Sequence, residues 1–107
     1  MFARLLEFNL KPEKKEEFVR VIKDEIVPIL KKQPGFVEVL PFIEDVKAEK
    51  MVTISLWQSK REAERYAQEV SPRVIDIARP YLTTKVETKS YTLETTVCKH
   101  FVEALTA

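Results

Sequence analysis

Residues 51–70 read MVTISLWQSKREAERYAQEV, and this stretch passes from a strand pattern to a helix pattern. We predict a strand from Met51 to Trp57. Ser59 and Glu62 have the spacing of a capping box, in which the hydroxyl and the carboxylate satisfy each other's free backbone donors. The helix that follows is predicted to turn four residues inward: Ala63, Tyr66, Ala67 and Val70.

Two further strands are predicted upstream of this stretch. The first runs from Phe2 to Leu10 with the period of two that strands show. One face of this strand would carry Phe2, Leu6, Phe8 and Leu10, and the other face Leu5, Glu7 and Asn9. The second runs from Phe36 to Glu44 and is followed by a polar hairpin loop, Asp45 to Lys50.

A long helix is predicted between those two strands. Pro12 suits its first turn, and Pro34 with Gly35 ends it. Pro28 lies inside the helix and is expected to kink it, because proline has no backbone donor. The apolar stripe that faces the core would consist of Phe18, Ile22, Ile26 and either Ile29 or Leu30.

The remaining elements complete an α+β, ferredoxin-like order with a four-stranded antiparallel sheet. Ser71-Pro72 begins a short helix that Pro80 ends, and residues 86–97 resemble a last, long strand. The order strand, helix, strand, strand, helix pair, strand is a split βαβ pattern. We therefore predict one domain over residues 1–97 and a tail over residues 98–107 that packs on another surface, such as a partner subunit.

Both faces of the second predicted strand are apolar, so both require burial. One side would carry Phe36, Leu40 and Phe42, and the other Val37, Val39 and Ile43. A sheet of this fold with helices on one face alone would alternate apolar and polar residues. Packing of two sheets around a two-fold axis is a direct solution. We therefore predict a homodimer.

Composition excludes several classes of function. Lys plus Arg number 18 and Asp plus Glu 17, which leaves a net charge of +1 and no basic stripe for nucleic acid. No apolar run approaches the ~20 residues of a membrane span. The charged start is unlike a signal peptide, so we expect a cytoplasmic protein without membrane partners. Cys98 is the one cysteine, which leaves no intramolecular disulfide and no cysteine-based metal site.

Several short motifs resemble those of the antibiotic biosynthesis monooxygenase family, whose members are dimeric α/β barrels. The similarity covers Phe8 to about Tyr91. It rests on Leu10-Lys11-Pro12-Glu13 before Phe18, Gln33-Pro34-Gly35-Phe36, Leu56-Trp57-Gln58-Ser59, Glu62-Ala63 and Ser71-Pro72. The family includes cofactor-free quinol and polyketide oxygenases and haem-degrading enzymes. The resemblance therefore implies an oxidoreductase that needs no cofactor.

The resemblance also points to individual residues. Trp57 matches a tryptophan that lines the pocket of several relatives, and Thr53 stands where some polyketide oxygenases have asparagine. Tyr66 and Arg73 fall where many quinol-type relatives carry histidines. The haem-degrading constellation does not map, because the only histidine of this chain is His100 in the tail.

Each candidate side chain has a chemical role and a structural alternative. Trp57 would stack on a planar ring, and Tyr66 would donate to a substrate oxygen, although either is also suited to the core. Arg73 would hold a phenolate, a carboxylate or superoxide, although a first-turn arginine is also suited to the surface. Asn9 would orient a ligand, and Glu38 either faces the pocket or lies at an exposed edge. The possible bases are Glu7, Glu38 and Asp76.

Two functions remain open from the sequence. The first is a homodimeric, cofactor-independent monooxygenase that acts on a small aromatic or quinol substrate between sheet and helices. Trp57, Tyr66 and Arg73 would be its catalytic residues, with Asn9, Glu38 and Thr53 binding the substrate. The alternative is a non-catalytic homodimer on the same scaffold, which binds a small molecule or has a structural role, because a fold does not determine a function.

Overall fold

An antiparallel sheet carries the helices in the computed structural model, which describes residues 1–94 of the 107-residue chain. Within these residues the sheet has four strands in the spatial order β2-β3-β1-β4. They are β1 Phe2–Asn9, β2 Phe36–Ile43, β3 Lys50–Trp57 and β4 Glu87–Thr92. The predicted α+β, ferredoxin-like fold is confirmed.

The helical stretch between β1 and β2 changes its winding before Pro28. It consists of a 3₁₀ turn Pro12–Lys14, α1 Lys15–Val21, a π-helical turn Ile22–Ile26 and α2 Val27–Lys31. The Val27 N–H donates to the carbonyl of Ile22, five residues back. Pro28 cannot donate and its ring crowds the preceding turn, so the wider π turn lies where the helix must accommodate it.

Two more helices follow β3. They are α3 Lys60–Glu69 and α4 Ser71–Ala78, and a 3₁₀ turn Arg79–Tyr81 leads towards β4. The Ser59 hydroxyl accepts from the Glu62 N–H at 3.2 Å, as the capping box predicts. The Glu62 carboxylate does not return to the backbone of Ser59 but accepts from its hydroxyl at 3.0 Å.

The register of β1 and β3 decides which side chains face the helices. Phe2 pairs with Trp57, Arg4 with Ser55, Leu6 with Thr53 and Phe8 with Met51, so these eight share one face. The buried core lies between this face and the helices. It is built largely from aromatic and aliphatic side chains, among them Phe2, Phe8, Phe18, Leu30 and Trp57. Arg4 is a charged exception on the buried face.

A β-bulge near the start of β2 places one residue on the opposite face from the predicted one. The register with β3 shifts between Phe36 and Glu38, so Val37 has no partner in the ladder. The prediction that Phe36 shares a side with Leu40 and Phe42 is therefore wrong. Phe36 instead lies on the helix-facing side, where its ring meets that of Trp57 edge-to-face at 5.6 Å.

The opposite face of the sheet is apolar and partly open. Phe42 is 54% exposed and Tyr91 50% exposed. Further apolar side chains on this face are half-buried: Ala3, Leu5, Leu40, Val52 and Ile54. No helix within residues 1–94 is long and apolar enough to cross a membrane.

The end of the chain lies outside the described residues. It includes Cys98, His100, the predicted tail 98–107 and the last part of the strand predicted over residues 86–97. The described part of that strand is β4, which starts at Glu87. The predicted domain boundary at residue 97 stays a prediction.

Candidate functional site

A cavity of about 60 Å³ lies between the sheet and the helices. The sheet supplies one wall, which includes Leu6 and Val39, and the π-helical turn supplies Ile22 and Ile26 to the other. Residues of α1, α2, α3 and α4 and Val86 also line it. The polar side chains among the described lining residues are Thr53, Ser55 and Tyr66. The cavity is therefore an apolar chamber with a few hydroxyl groups.

Arg4 lies beside this chamber although it is not one of its lining residues. Its side chain is on the helix-facing side of β1, directly opposite Ser55 on β3, and the residue is only 5% exposed. The guanidinium carbon lies 5.3 Å from the ring centre of Tyr66. Nη1 is buried and has no hydrogen-bond partner among the described residues. Burial lowers the pKa of Arg4, yet an arginine remains charged at neutral pH.

Tyr66 connects Arg4 to the cavity. It projects from the buried face of α3 and lines the chamber. Burial raises the pKa of the Tyr66 phenol, and the Arg4 charge and the Ser71 hydroxyl oppose this shift. The phenol is thus protonated at neutral pH and keeps its hydrogen-bond donor.

Trp57 stands behind Tyr66 and is fully buried. The two ring centres are 4.8 Å apart, and the Trp57 indole N–H donates to the Ser55 hydroxyl at 3.0 Å. The indole donor is therefore already used, and Trp57 is not among the lining residues. Trp57 is both a core residue and the support for two residues that line the cavity.

These side chains form one buried group, which we call the Arg4 cluster: Arg4, Ser55, Trp57, Tyr66 and Ser71. All five are buried. None of the described ion pairs involves Arg4. The cluster therefore places beside an apolar chamber a positive charge that no residue in the described part of the chain pairs with. Charges in such surroundings interact more strongly than they do in water.

The predicted catalytic residues are only partly brought together. Trp57 and Tyr66 are in ring contact, and Thr53 lines the same cavity as Tyr66. Arg73 lies on α4 with an exposed side chain and is not a lining residue. Its role as the cation of the site stays a prediction.

Asn9 and Glu38 lie away from the cavity. Asn9 ends β1, where its N–H donates to the Thr84 hydroxyl at 2.9 Å. It lines a separate polar depression on the surface together with Glu7 and Lys50. Glu38 is exposed on the edge strand β2, and its carboxylate accepts from the Val39 N–H at 3.0 Å. Of the two placements considered for Glu38, the structure shows the exposed edge.

The other possible bases are engaged on the surface. Glu7 pairs with Lys50 at 3.0 Å, and Asp76 pairs with Arg79 at 2.8 Å. Among the described lining residues there is no carboxylate and no histidine. Residues 1–94 also contain no group of three or more His, Cys, Asp or Glu that could hold a metal ion. The chamber thus offers hydroxyl groups and a nearby cation.

Arg4 was missed by the sequence-based reasoning, although a signal was present. The alternation of β1 runs through Phe2, Arg4, Leu6 and Phe8, so the register that buries Phe2 also buries Arg4. An arginine in the buried phase of a central strand is rare unless it is paired. The position of Arg4 in that alternation was therefore a signal of a buried charge beside the core.

An antiparallel sheet with helices on its buried face and a cavity between the layers defines an α+β domain with an internal cavity. The sequence model of the family described as antibiotic biosynthesis monooxygenase matches residues 1–71. The match covers well over half of the chain, and this protein belongs to that family.

Solved structures share the fold at low sequence identity. A conserved protein from Methanosarcina mazei Go1 superposes with a TM-score of 0.70 at 19% identity, covering 88% of this chain and 94% of that one. A monooxygenase from the gene ActVA-Orf6 of Streptomyces coelicolor, in complex with nanaomycin D, has a TM-score of 0.70 at 15% identity and covers 87% of both chains. SnoaB from Streptomyces nogalater, a cofactor-independent oxygenase, has a TM-score of 0.66 at 18% identity, with 87% and 92% covered. No functionally curated protein shows significant sequence similarity.

Proposed function

We propose that this protein is a cofactor-independent monooxygenase that oxidises a small aromatic or quinol substrate in the cavity between sheet and helices. The observation that carries the proposal is an apolar chamber whose polar lining consists of hydroxyl groups, in a member of this family. A cofactor-free oxygenase needs such a dry site, because water would compete for reactive intermediates.

The reaction balances with dioxygen as the only co-reactant. A phenol with a free ring carbon opposite its hydroxyl loses the hydroxyl proton and the hydrogen on that carbon. One oxygen atom becomes the new carbonyl of a quinone, and the other leaves as water with those two hydrogens. The ring gives up four electrons, and each oxygen atom gains two. The phenolate is the form that transfers the first electron, so the site must favour it.

The lining residues have proposed roles in this reaction. Tyr66 donates its phenolic hydrogen to a substrate oxygen, which orients the ring and stabilises negative charge. Trp57 holds Tyr66 and Ser55 in place through its ring contact and its hydrogen bond. Thr53 offers a second hydroxyl on the sheet wall. Arg73, Asn9 and Glu38 remain candidates that would need to approach the substrate from outside the chamber.

Substrate binding requires the chamber to widen. Ligand pockets usually enclose roughly 300–1,000 Å³, whereas this cavity encloses about 60 Å³. The π-helical turn supplies Ile22 and Ile26 to the wall, and π turns are common at functional sites. We propose that this wall moves to admit the substrate.

We also propose that the protein is a homodimer, joined through the outer faces of the two sheets. This face carries Phe42 and Tyr91, both at least half exposed, among other apolar side chains. Apolar patches of this kind mark interaction surfaces. Sheet-on-sheet packing would bury them while leaving the cavity on the far side of each sheet.

Oxygen uptake tests the catalytic proposal. Metal-stripped protein is mixed with a panel of mono- and dihydroxyaromatics that have a free ring carbon opposite a hydroxyl, and uptake is compared with the uncatalysed rate. We expect uptake above that rate, reduced about tenfold or more in Tyr66→Phe. Tyr91→Phe is the matched control, because it removes an exposed phenol from β4 and should leave uptake unchanged. Equal uptake in Tyr66→Phe and wild type would contradict the role of Tyr66.

The non-catalytic alternative is favoured by one observation. The described lining residues include no carboxylate and no histidine, so no usual base faces the chamber. Under this alternative the cavity binds a small aromatic molecule without turning it over. Ligand-dependent changes at Trp57, the only tryptophan of the chain, would then occur without oxygen uptake by any member of the panel.

A further inference from the structure

The buried guanidinium of Arg4 has no counter-charge among residues 1–94. Its Nη1 has no hydrogen-bond partner among the described residues, and none of the described ion pairs includes it. The Tyr66 ring beneath it gives a cation–π contact, which is a weak interaction. Burial of a charge without a partner costs more than that. The residue is therefore poorly explained as a structural element.

The position of Arg4 relates this charge to the chamber. Arg4 lies opposite Ser55 and over Tyr66, and both of those residues line the cavity. Thr53 lies two residues before Ser55, on the same face of β3. The polar groups of the chamber thus lie on the side where the guanidinium stands, while the π-helical turn and α4 supply apolar wall.

We infer that Arg4 is the anion-recognition residue of this cavity, and that the ligand is a planar aromatic compound carrying an ionised oxygen, either a carboxylate or a phenolate. The inference rests on the proposed function in one respect, that the cavity is the ligand site. The ring occupies the apolar chamber, and the anionic oxygen reaches Nη1 beside Tyr66 and Ser55. Arg4 does not line the cavity, so the side chains between its guanidinium and the chamber shift when the ring enters.

The chemistry of arginine favours an anion over a neutral oxygen. Hydrogen bonds between a guanidinium and an ionised oxygen are about twice as strong as neutral ones. Ligand charge would also compensate the buried cation, whereas a neutral ligand would leave it unbalanced. A phenol bound here would ionise more readily than in water, because a nearby opposite charge favours the charged form. The same effect would provide the phenolate without a side-chain base.

Three probes test whether the site accepts a carboxylate or a phenolate. Benzoate and benzamide have nearly the same shape and differ in charge, and their affinities are measured by calorimetry. The absorbance of 4-nitrophenol reports its own ionisation, so its pKa in the bound state is read directly across the pH range in which it titrates. Binding is confirmed by the single indole N–H resonance of Trp57.

We expect wild-type protein to bind benzoate at least about tenfold more tightly than benzamide, and to lower the pKa of bound 4-nitrophenol by about one unit or more. Arg4→Met fills the same space without charge, and it should abolish both effects. Because it removes an unpaired buried charge, this variant should fold at least as stably as wild type. Arg4→Lys, which keeps the charge, should retain part of the preference. Arg20→Met removes an exposed arginine of α1 and is the control that should behave as wild type.

Each outcome decides the inference. If only the preference for benzoate is seen, the accepted oxygen is a carboxylate. If only the pKa of 4-nitrophenol shifts, it is a phenolate. Loss of the effect in Arg4→Met assigns the recognition to Arg4. Equal affinity for charged and neutral probes overturns the inference, as does a preference that survives in Arg4→Met or a lack of binding by every probe. If anions bind through Arg4 but no oxygen is consumed, the proposed oxygenase fails and the inference stands. If Arg4→Met consumes oxygen as fast as the wild type, the inference about Arg4 fails and the proposed oxygenase stands.

Discussion

The guanidinium of Arg4 lies 5.3 Å from the ring centre of Tyr66 in the interior of the domain. Two different elements create this contact, since Arg4 comes from β1 and Tyr66 from α3. The ring of Trp57 packs on Tyr66 from β3 at 4.8 Å. The contact therefore forms only when the sheet and the helical layer have assembled, and it brings a cation and a hydrogen-bond donor to one side of an apolar cavity.

Tyr66 makes stability depend on pH in the alkaline range. Burial raises the pKa of its phenol above the ordinary 10.0, so the folded state keeps a proton that the unfolded state loses. Stability is therefore complete below pH 10 and falls as the pH rises from there through the folded-state pKa. Tyr66→Phe should remove part of this alkaline loss, measured by urea unfolding at a series of pH values. A slope in Tyr66→Phe equal to that of the wild type would show that the buried phenol does not contribute.

Gly35 is required by both backbone and packing. Its φ of +79° is unfavourable for other residues, and a Cβ there would meet the carboxylate of Glu62. Gly35→Ala should lower the free energy of unfolding by about 1–3 kcal/mol, because it strains the turn and displaces the partner of Ser59. Ala48 has a φ of +56° in the loop between β2 and β3, so Ala48→Gly should instead be neutral or stabilising by up to about 1 kcal/mol. Chemical unfolding measures both, and the same sign for the two substitutions would refute the backbone argument.

Much of the fold was predictable because its signals are local. The alternation of β1, the capping hydroxyl of Ser59 and the proline at the start of α4 all lie within single elements. The face of Phe36 was not predictable, since the bulge at Val37 depends on how β2 pairs with β3. The pairing register also decides that Glu38 is on the outer side.

The candidate site was predictable only in part, because the burial of its residues depends on how the sheet and the helices pack. Trp57 and Tyr66 were found through their resemblance to family positions, and the structure brings them into contact. Arg73 was proposed as the cation because it falls at a position where many quinol-type relatives carry histidine, and Arg4 was not considered. Whether a cation is buried depends on the layers that close over it, and α3 covers Arg4 while Arg73 is left exposed.

The outer face of the sheet is where we expect the second subunit. Phe42→Glu places a charge in the proposed interface and should convert a dimer into a monomer at micromolar concentration. Val19→Glu is the control, because Val19 is similarly exposed but lies on α1. Sedimentation velocity measures the mass of each variant. A wild-type protein that sediments as a stable monomer at this concentration would contradict the proposed dimer.

Pro28 shapes the cavity wall through the π-helical turn that precedes it. Pro28→Ala supplies a backbone donor and removes the ring, so the turn Ile22–Ile26 should return to α-helical spacing. Stability should rise by about 1 kcal/mol or more, while Ile22 and Ile26 shift and the affinity for benzoate falls. Pro80→Ala, in a 3₁₀ turn, is the control that should leave affinity unchanged. Unchanged benzoate affinity in Pro28→Ala would separate the π turn from ligand binding.

The central claim is that the cavity transfers one atom of dioxygen to an aromatic ring without a cofactor. The most direct measurement is mass spectrometry of the quinone formed by metal-stripped protein under isotopically labelled dioxygen. We predict one labelled oxygen in each quinone formed by wild-type protein, the second label in water, and loss of this product in Tyr66→Phe. An unlabelled quinone, or a labelled one formed equally well without the protein, would contradict the account.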